Sequence, residues 1–400
     1  MRPLICIDSR YIRARPSGIG EVVQALIDHL PALAPDLSFL LLRHPQAPER
    51  LSHADNVSEV VVPHAANGPA TMWYLPRVVD LSRVALFHAT FNIMPAGLPM
   101  PCVTTVHDIM WLTQPGLCND RLSGIVDRLF YAHGIRRALR RSAAIATVSD
   151  ATREEIARIA PDAASRAFVT RSGVSSDFHA STRAVPWEVI GLPRRRRFVL
   201  TVGQYAPYKN HEGALAGFAR AFADRDDIDL VLVQRRGEGQ FILGKQAARL
   251  GIAGRVHFAR NVGRDELIAL YSNAEVLLHP SFCEGFGNPL AEAMACGCPV
   301  VTSDRSAMPE VTGNAALLVN PGDPEAIAGA LLRAVDDRRT AKLMSKLGLR
   351  RARKLSWQGF AEANLAVYRS VLVEADSGWL RPTPASRPDA LPPRYAPSRK

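Results

Sequence analysis

The chain has 400 residues, of which 47% are hydrophobic and 22% are charged, and its 49 Lys and Arg against 38 Asp and Glu give a net charge of +11. This composition is typical of a globular protein and excludes a wholly disordered chain, a collagen-like repeat and a coiled coil. At about 100–200 residues per domain, the length predicts two or three domains. Only six of the basic residues are lysines, and the first of them is Lys209.

The first half of the chain predicts alternating strands and helices. A short apolar run at 3–8 precedes a turn that contains Gly18 and Gly20, and a helical pattern then begins at Val22. Further strands are predicted at 39–42, 57–62, 84–88, 102–106 and 143–148, and helices at 120–141 and 150–159. Such alternation indicates βαβ units with a parallel sheet.

A second series of the same kind follows a segment predicted to be a linker, at 181–197. Its strands are predicted at 198–202, 228–233, 256–258, 276–279, 299–302 and 316–319. Helices are predicted between these strands, for example at 211–222 and 264–273, and after them at 324–336 and 340–347, the last ending at Gly348. A further helix begins near Trp357, and a proline-rich, disordered tail is predicted at 376–400.

The predicted fold class is therefore α/β, with two Rossmann-like domains at 1–180 and 198–355 that face each other across a cleft. Ligands of such sheets bind at the carboxyl ends of the strands. The second half also carries the basic excess, because 18 basic and 16 acidic side chains precede residue 180 whereas 31 and 22 follow it. This asymmetry indicates either an anionic partner, such as nucleic acid, a phospholipid surface or a phosphorylated small molecule, or a solvated basic face.

Cysteine spacing and hydropathy predict a cytoplasmic protein. The six cysteines form no Cys-x-x-Cys pair and no zinc-binding spacing, which indicates reduced thiols and no bound metal. Asp8 comes too early for a signal peptide. The longest uncharged stretch, at 84–107, is interrupted by Asn92 and three prolines, so no transmembrane helix is expected.

The most specific motif follows the predicted strand at 276–279. Glu284 and Glu292 are separated by seven residues, among which are Gly285 and Gly287. The glycines allow a close approach of the backbone, and a strand, a glycine loop and a helix start together present free amides to a phosphate. The two carboxylates can accept hydrogen bonds from sugar hydroxyls. The alternative, a helix start with solvated acids, does not explain the glycines.

These residues, as EGFGNPLAE followed by AMACGCPVVTSDRSAMPEV, resemble the retaining glycosyltransferases of family 4, which have the GT-B fold. The resemblance covers about residues 1–375 and includes the segments SGIGEVVQAL, TVHDIMW, TVSDATREEIAR, SGVSSDF and VGQYAPYKN. It implies that the closing helix, at 356–375, crosses back onto the first domain. It also implies a nucleoside-diphosphate sugar as the donor substrate, with no other cofactor and no metal.

The resemblance implies a role for each residue of the motif. Glu292 would bind the nucleotide ribose, Glu284 a hydroxyl of the transferred sugar, and the region of Val262 the base. The sugar and the diphosphate would contact the backbone amides around Phe286, Gly287 and Leu290. Fixed cations and helix starts would neutralise the leaving diphosphate by electrostatic stabilisation.

Lys209 is implied to supply one of those cations, from the loop that follows Gly203. A lysine ammonium is a compact charge on a flexible stem, which suits a diphosphate. Family members often carry an arginine directly after this glycine or directly before the lysine, where this chain has Gln204 and Tyr208. We hypothesise that the missing arginine is replaced from the segment after the next strand, by Arg235 or Arg236.

Two features of the first domain are predicted to reach the cleft. By resemblance, His107 would touch the donor sugar or share in acceptor activation, although a lone histidine is often structural. The turn with Gly18 and Gly20 would let backbone amides approach the diphosphate or the acceptor. The helix at 120–141 carries aromatic and basic residues and either rests on an anionic membrane or forms a core helix with a solvated basic side.

By this resemblance, the chain is expected to be a retaining, metal-independent glycosyltransferase at the inner face of the plasma membrane. It would transfer a hexose to a glycan or lipid-linked acceptor in surface-polysaccharide biosynthesis, and the resemblance to the branch with an adjacent Lys-Asn pair implies GDP-mannose as donor. Alternatives of the same fold are a nucleotide-sugar epimerase and a phosphorylase-like enzyme. A non-enzymatic nucleic-acid-binding protein is the alternative of another class, but the chain lacks stacking signatures and no nucleic acid is expected.

Overall fold

A computed structural model of the chain describes residues 2–14, 17–47, 49–118, 124–192, 196–234, 237–259 and 261–376. Within these residues the chain forms two separate parallel sheets with helices packed on both faces. The predicted α/β class with two Rossmann-like domains is therefore confirmed. The predicted tail beyond residue 376 lies outside the described residues, and so do Arg235 and Arg236.

The first sheet has seven strands in the order β3-β2-β1-β4-β5-β6-β7. Their bounds are β1 Leu4–Asp8, β2 Ser38–Arg43, β3 Val57–Val61, β4 Leu86–Ala89, β5 Cys102–Val106, β6 Ala144–Thr147 and β7 Ala167–Val169. β1 is an interior strand, in which Cys6 pairs with Leu40 on one side and Phe87 on the other. Ile5 and Ile7 face one core cluster and Cys6 the other, so β1 is apolar on both faces, as a buried parallel strand must be.

The helices of the first domain connect these strands on the two faces of the sheet. Their bounds are α1 Gly18–Leu33, α2 Pro69–Val78, α3 Met110–Thr113, α4 Pro115–Cys118, α5 Gly124–Arg141, α6 Asp150–Ile159 and α7 Pro161–Ala164. The start of α1 is fixed by Ser17, whose hydroxyl accepts a hydrogen bond from the Gly20 amide at 3.0 Å. The first residues of the helix predicted at 120–141 lie outside the described residues, and the described part agrees with the prediction.

The second sheet has six strands in the order β10-β9-β8-β11-β12-β13. The strands are β8 Arg197–Val202, β9 Ile228–Val233, β10 Val256–Ala259, β11 Val276–His279, β12 Val300–Ser303 and β13 Ala316–Val319. The helices are α8 Trp187–Ile190, α9 His211–Ala221, α10 Glu238–Arg249, α11 Arg264–Asn273, α12 Asn288–Ala295, α13 Met308–Thr312, α14 Pro324–Asp336 and α15 Arg338–Ala352, with short 3-10 turns at Pro207–Lys209 and Ala253–Arg255.

The last helix, α16 Trp357–Asp376, returns to the first domain. Phe360 and Tyr368 are buried in the same cluster as the strands of the first sheet, and the Tyr368 hydroxyl lies 2.6 Å from His88 Nδ1. The crossing helix that the sequence predicted is therefore confirmed. Where the chain enters and leaves the second domain, the two segments run side by side, because Val174 and Ser356 form a parallel bridge.

The sequence prediction differs from the structure at several elements, among them α2, which was not predicted, β7 and α15. The three-residue edge strand β7 was not predicted, because so short a segment shows no clear alternation. The helix predicted to end at Gly348 instead continues to Ala352 as α15. A Cβ atom at Gly348 would lie 3.2 Å from the Met294 side chain, so this glycine allows α15 to pack closely on α12 and does not end the helix.

The segment at 181–197, which was predicted to be a linker, is partly built into the second domain. It contains α8, and Val185, Ile190 and Leu192 are buried in the core cluster on one face of the second sheet. The two domains also make direct contact, because the Glu310 carboxylate of α13 accepts hydrogen bonds from the first amides of α6, at 3.0 and 3.1 Å. These contacts hold the carboxyl edges of the two sheets towards each other.

Candidate active site

The candidate site lies where the strand order of the second sheet reverses. β8 and β11 are neighbours in the sheet, and the connections from them leave in opposite directions. A crevice forms at the carboxyl ends of two such strands, and ligands of open α/β sheets bind there. The loop after β8 carries Gly203 and Lys209, and the loop after β11 carries Glu284, so the chain order places these predicted residues at one crevice.

Gly203 lets the Lys209 side chain reach across the crevice. The glycine has a φ of +150°, and a Cβ atom there would lie 2.9 Å from Lys209 Cδ. A larger residue would therefore be strained and would also displace the lysine stem. Lys209 Nζ lies 2.7 Å from Glu284 Oε1, and the two side chains are only 13% and 12% exposed.

The Glu284 carboxylate is held by further hydrogen bonds from its own loop. Ser281 Oγ lies 3.0 Å and His279 Nε2 3.1 Å from the same oxygen, Oε1. Burial alone would raise the pKa of Glu284, but the Lys209 ammonium and the His279 ring lower it well below its usual value. The carboxylate is therefore ionised at neutral pH. Among the described residues its second oxygen, Oε2, has no hydrogen-bond partner and can accept from a ligand hydroxyl.

Asn210 fastens the lysine loop to the glutamate loop. Its backbone is left-handed, with a φ of +53°, and its side-chain oxygen caps α9 by accepting from the Gly213 amide at 3.1 Å. Its side-chain amide donates to the carbonyls of Pro280 at 3.1 Å and Pro321 at 2.7 Å. The sequence prediction gave no role to Asn210, and only its position beside Lys209 could have indicated one.

Tyr208 occupies one of the two positions where the family often has arginine. Its ring lies under the lysine, with Lys209 Nζ 5.0 Å from the ring centre. Its carbonyl accepts from the Phe282 amide at 2.7 Å, which is a further tie between the two loops. Burial raises the pKa of the Tyr208 phenol to about 12, so it stays neutral. Tyr208 thus supports Lys209 by a cation–π contact and adds no charge of its own.

The loop after Glu284 presents backbone amides towards the cleft. Gly287 has a φ of +90° and immediately precedes α12, which has Pro289 in its first turn. Of the three backbone positions predicted to contact the sugar and the diphosphate, the Leu290 amide already donates to the Gly287 carbonyl at 2.9 Å. Among the described residues, the amides of Phe286 and Gly287 have no hydrogen-bond partner. The free donors therefore lie one turn earlier than Leu290.

Glu292 lies on α12 beside a buried tyrosine that the sequence prediction missed. Tyr271 on α11 donates its hydroxyl to Glu292 Oε2 at 2.8 Å. Burial and the nearby charge of Glu21 raise the pKa of Glu292 to about 7. The Glu21 carboxylate in turn pairs with Arg264 at 2.8 Å, which joins α1 of the first domain to α11 of the second. Val262, predicted to lie near the base, is two residues before Arg264.

His107 lies at the end of β5 on the opposite side of the cleft. Its Nε2 donates to the Thr90 carbonyl at 3.0 Å, since a carbonyl oxygen can only accept. Burial lowers the pKa of His107 to about 4, so the ring is neutral and Nδ1 is left as an acceptor. A neutral imidazole of this kind can hold a hydroxyl group but is a weak base at neutral pH.

Two glycines bring the domains together at the candidate site. A Cβ atom at Gly285 would overlap the carbonyl oxygen of His107, and one at Gly18 would lie 3.4 Å from the Asn288 side chain. The N-terminus of α1 therefore faces the N-terminus of α12 across the cleft. The Gly20 amide already donates to the Ser17 hydroxyl. On the α1 side of the cleft, the amides available to a ligand are therefore those that precede Gly20. Two helix N-termini and a lysine form a setting that favours an anion such as a diphosphate.

Two facing parallel sheets, a crossing C-terminal helix, and Glu284 and Glu292 around the start of α12 define a GT-B glycosyltransferase. The family model for glycosyl transferases group 1 matches residues 188–351, and that for the glycosyl transferase 4-like domain matches residues 17–170. The O-antigen chain mannosyltransferase B of Escherichia coli is 31% identical over 291 residues, which are 71% of this chain and 74% of that protein. The chain therefore belongs to this family of glycosyltransferases.

Other known proteins share the sequence or the fold. The MMP alpha-(1->4)-mannosyltransferase of Mycolicibacterium hassiacum is 33% identical over 55% of this chain and 56% of that protein. The sucrose-phosphate synthase of Thermosynechococcus elongatus has the same fold, with a TM-score of 0.71, 22% identity and coverage of 93% of this chain and 100% of that one. WaaG, a glycosyltransferase involved in lipopolysaccharide biosynthesis, gives a TM-score of 0.68 at 19% identity over 90% of this chain and 99% of that one.

The contact between Gly285 and His107 leads to a prediction about the domain arrangement. We expect Gly285→Ala to push the two domains apart, because its new Cβ atom would overlap backbone and not a flexible side chain. The radius of gyration in small-angle X-ray scattering should increase, and the melting temperature should fall. Gly254→Ala is the matched control, since no atom lies within 4 Å of a Cβ there. Equal scattering and melting of both variants would contradict the predicted role of the contact.

Proposed function

We propose that this glycosyltransferase transfers mannose from a nucleoside-diphosphate mannose, with GDP-mannose as the expected donor, to a glycan or lipid-linked acceptor in surface-polysaccharide biosynthesis. The observation that carries the proposal is the buried Lys209–Glu284 pair, which lies between two helix N-termini at the crevice of the second sheet. Relatives that are named mannosyltransferases support mannose as the sugar, and the O-antigen relative supports a surface glycan as the product.

The proposed donor lies along the cleft from Glu292 to Glu284. Glu292 accepts hydrogen bonds from the ribose hydroxyls, and the base lies near Val262. The diphosphate lies between the starts of α1 and α12, where Lys209 and free backbone amides neutralise its charge. Glu284 Oε2, which has no partner among the described residues, accepts a hydrogen bond from a hydroxyl of the transferred sugar.

The proposed reaction retains the configuration of the sugar and needs no metal. As the bond between the sugar and the diphosphate breaks, Lys209 and the helix start at Pro289 stabilise the charge on the leaving phosphate oxygen. That oxygen takes the proton of the acceptor hydroxyl, which attacks from the same face of the sugar. His107 holds a sugar or acceptor hydroxyl through Nδ1 and does not act as a free general base, because burial lowers its pKa to about 4.

Loss of either member of the central ion pair should stop transfer. Lys209→Ala leaves a buried carboxylate next to the diphosphate, and Glu284→Ala removes the sugar contact, so each should lower kcat by about 10²–10³. Rates are measured with GDP-, UDP- and ADP-linked sugars, after a thermal-shift screen has shown which of them binds. Lys245→Ala, at an exposed lysine whose Nζ lies 4.1 Å from the centre of the exposed Phe241 ring, is the control. A rate near that of the wild type in either active-site variant would remove that residue from the mechanism.

The pKa of Glu292 predicts how nucleotide affinity changes with pH. Hydroxyl groups donate more strongly to a carboxylate than to a carboxylic acid. Because the pKa of Glu292 is raised to about 7, the affinity for GDP should rise between pH 6 and pH 8 as the residue ionises. Calorimetric titration should show an increase of up to about tenfold beyond that of Glu292→Gln, whose remaining dependence comes from the phosphates of GDP. Parallel pH profiles of the two proteins would exclude Glu292 as the ribose ligand.

We also propose that the first domain contacts a membrane, through the face formed by α2 and α5. Trp73, Val126 and Leu129 on this face are 46%, 74% and 66% exposed, and the Trp73 ring lies 6.0 Å from that of Phe130. Exposed apolar side chains next to arginines, such as Arg77, are typical of surfaces that lie in a membrane interface. Among the described residues, no helix has the length and apolar character that would carry it across a bilayer.

Vesicle binding tests this membrane contact. Val126→Ser with Leu129→Ser should reduce pelleting on vesicles that contain phosphatidylglycerol, because the α2–α5 face loses much of its exposed apolar area. Phe241→Ser with Val373→Ser removes two apolar side chains of similar exposure elsewhere and should pellet like the wild type. If both double variants pellet equally, the α2–α5 face is not the contact.

A further inference from the structure

A row of four basic residues follows one side of α15, far along the chain from the donor site. Lys342, Lys346, Arg350 and Arg353 are spaced by four, four and three residues, which places them on one side of the helix, and all are exposed. They extend over about 16 Å of helix axis. We call this side the α15 basic row.

A groove of about 570 Å³ runs beside the α15 basic row. Its other wall consists of Glu275, just before β11, and Pro299, just before β12. Both residues precede their strands, so the groove lies at the amino edge of the second sheet. The Lys209–Glu284 pair lies beyond the carboxyl ends of the strands, so the groove is on the other side of the domain from the donor cleft.

In the part of the chain that the structure describes, the cations of the α15 basic row have no paired counter-charge. Among the described residues, none of the four forms an ion pair or a side-chain hydrogen bond. Glu275, the acid across the groove, is paired with Arg197 at 2.9 Å. Lys342, Lys346 and Arg350 are successive i,i+4 neighbours, and like charges at this spacing repel one another and weaken a helix. An anion in the groove would relieve this repulsion.

We propose that this groove is a second anion site, which binds a phosphate-bearing ligand through Lys342, Lys346, Arg350 and Arg353. Its volume suits a ligand of the size of a sugar phosphate, and the Ser345 hydroxyl in its lining can add a hydrogen bond. The same phosphate chemistry is offered by a free phosphorylated solute and by a phospholipid headgroup. The site does not depend on the proposed sugar donor, because it lies at the opposite edge of the sheet.

Two probes distinguish the two sources of phosphate. Tripolyphosphate is titrated calorimetrically to represent a free ligand, and vesicles of phosphatidylglycerol and phosphatidylcholine represent headgroups. The triple variant Lys342→Gln, Lys346→Gln, Arg350→Gln should weaken binding of at least one probe by about tenfold or more, since charge-assisted hydrogen bonds are lost. It should also melt no lower than the wild type, because the repulsion along α15 is removed.

The matched control has the same change in net charge at three exposed arginines on other helices outside the α2–α5 face, Arg158→Gln, Arg249→Gln and Arg333→Gln. It should bind both probes like the wild type. Lys209→Ala should keep the binding of whichever probe the triple variant loses. This outcome would separate the groove from the donor cleft, whichever sugar donor the cleft binds. The proposal is overturned if neither probe binds, if the triple variant and the arginine control lose equal affinity, or if Lys209→Ala abolishes the binding.

Discussion

The buried ion pair between Lys209 and Glu284 is the interaction on which the rest of the site depends. Two charges taken out of water destabilise a protein unless their geometry is good and their remaining hydrogen bonds are made. Here Gly203 leaves room for the Lys209 side chain, and Ser281 and His279 form hydrogen bonds with the Glu284 carboxylate. The loops after β8 and β11 are therefore fixed before any ligand arrives, and one carboxylate oxygen is left for the ligand.

Strands and helices that are determined by residues close together in the chain were predictable from the sequence. The strands at 228–233 and 276–279 agree with β9 and β11 residue for residue, because apolar runs between turns are a local signal. Lys209 and Glu284 could also be singled out from the sequence, since each belongs to a recognisable segment of the chain. That they touch follows from the strand order, which places β8 beside β11.

Contacts between distant segments were not predictable. The pairing of Glu21 with Arg264 and the proximity of Gly285 to His107 depend on how the two domains pack, for which a single sequence holds no pattern. Gly348 was predicted as a helix end because glycine often follows helices, whereas its role is to admit Met294 of another helix. The sequence identifies residues near a ligand but does not show which of their backbone amides are free. It therefore could not show that the Leu290 amide already donates to the Gly287 carbonyl.

The parallel bridge between Val174 and Ser356 has a mechanical consequence. The second domain is connected to the first by two chain segments that lie against each other, and Gly173 packs directly on the backbone at Trp357. If one chain segment connected the domains, the second domain could rotate about that segment. Two segments that lie side by side allow the domains to bend relative to each other but resist twisting. Relative motion of the two domains is therefore restrained against twisting at this connection.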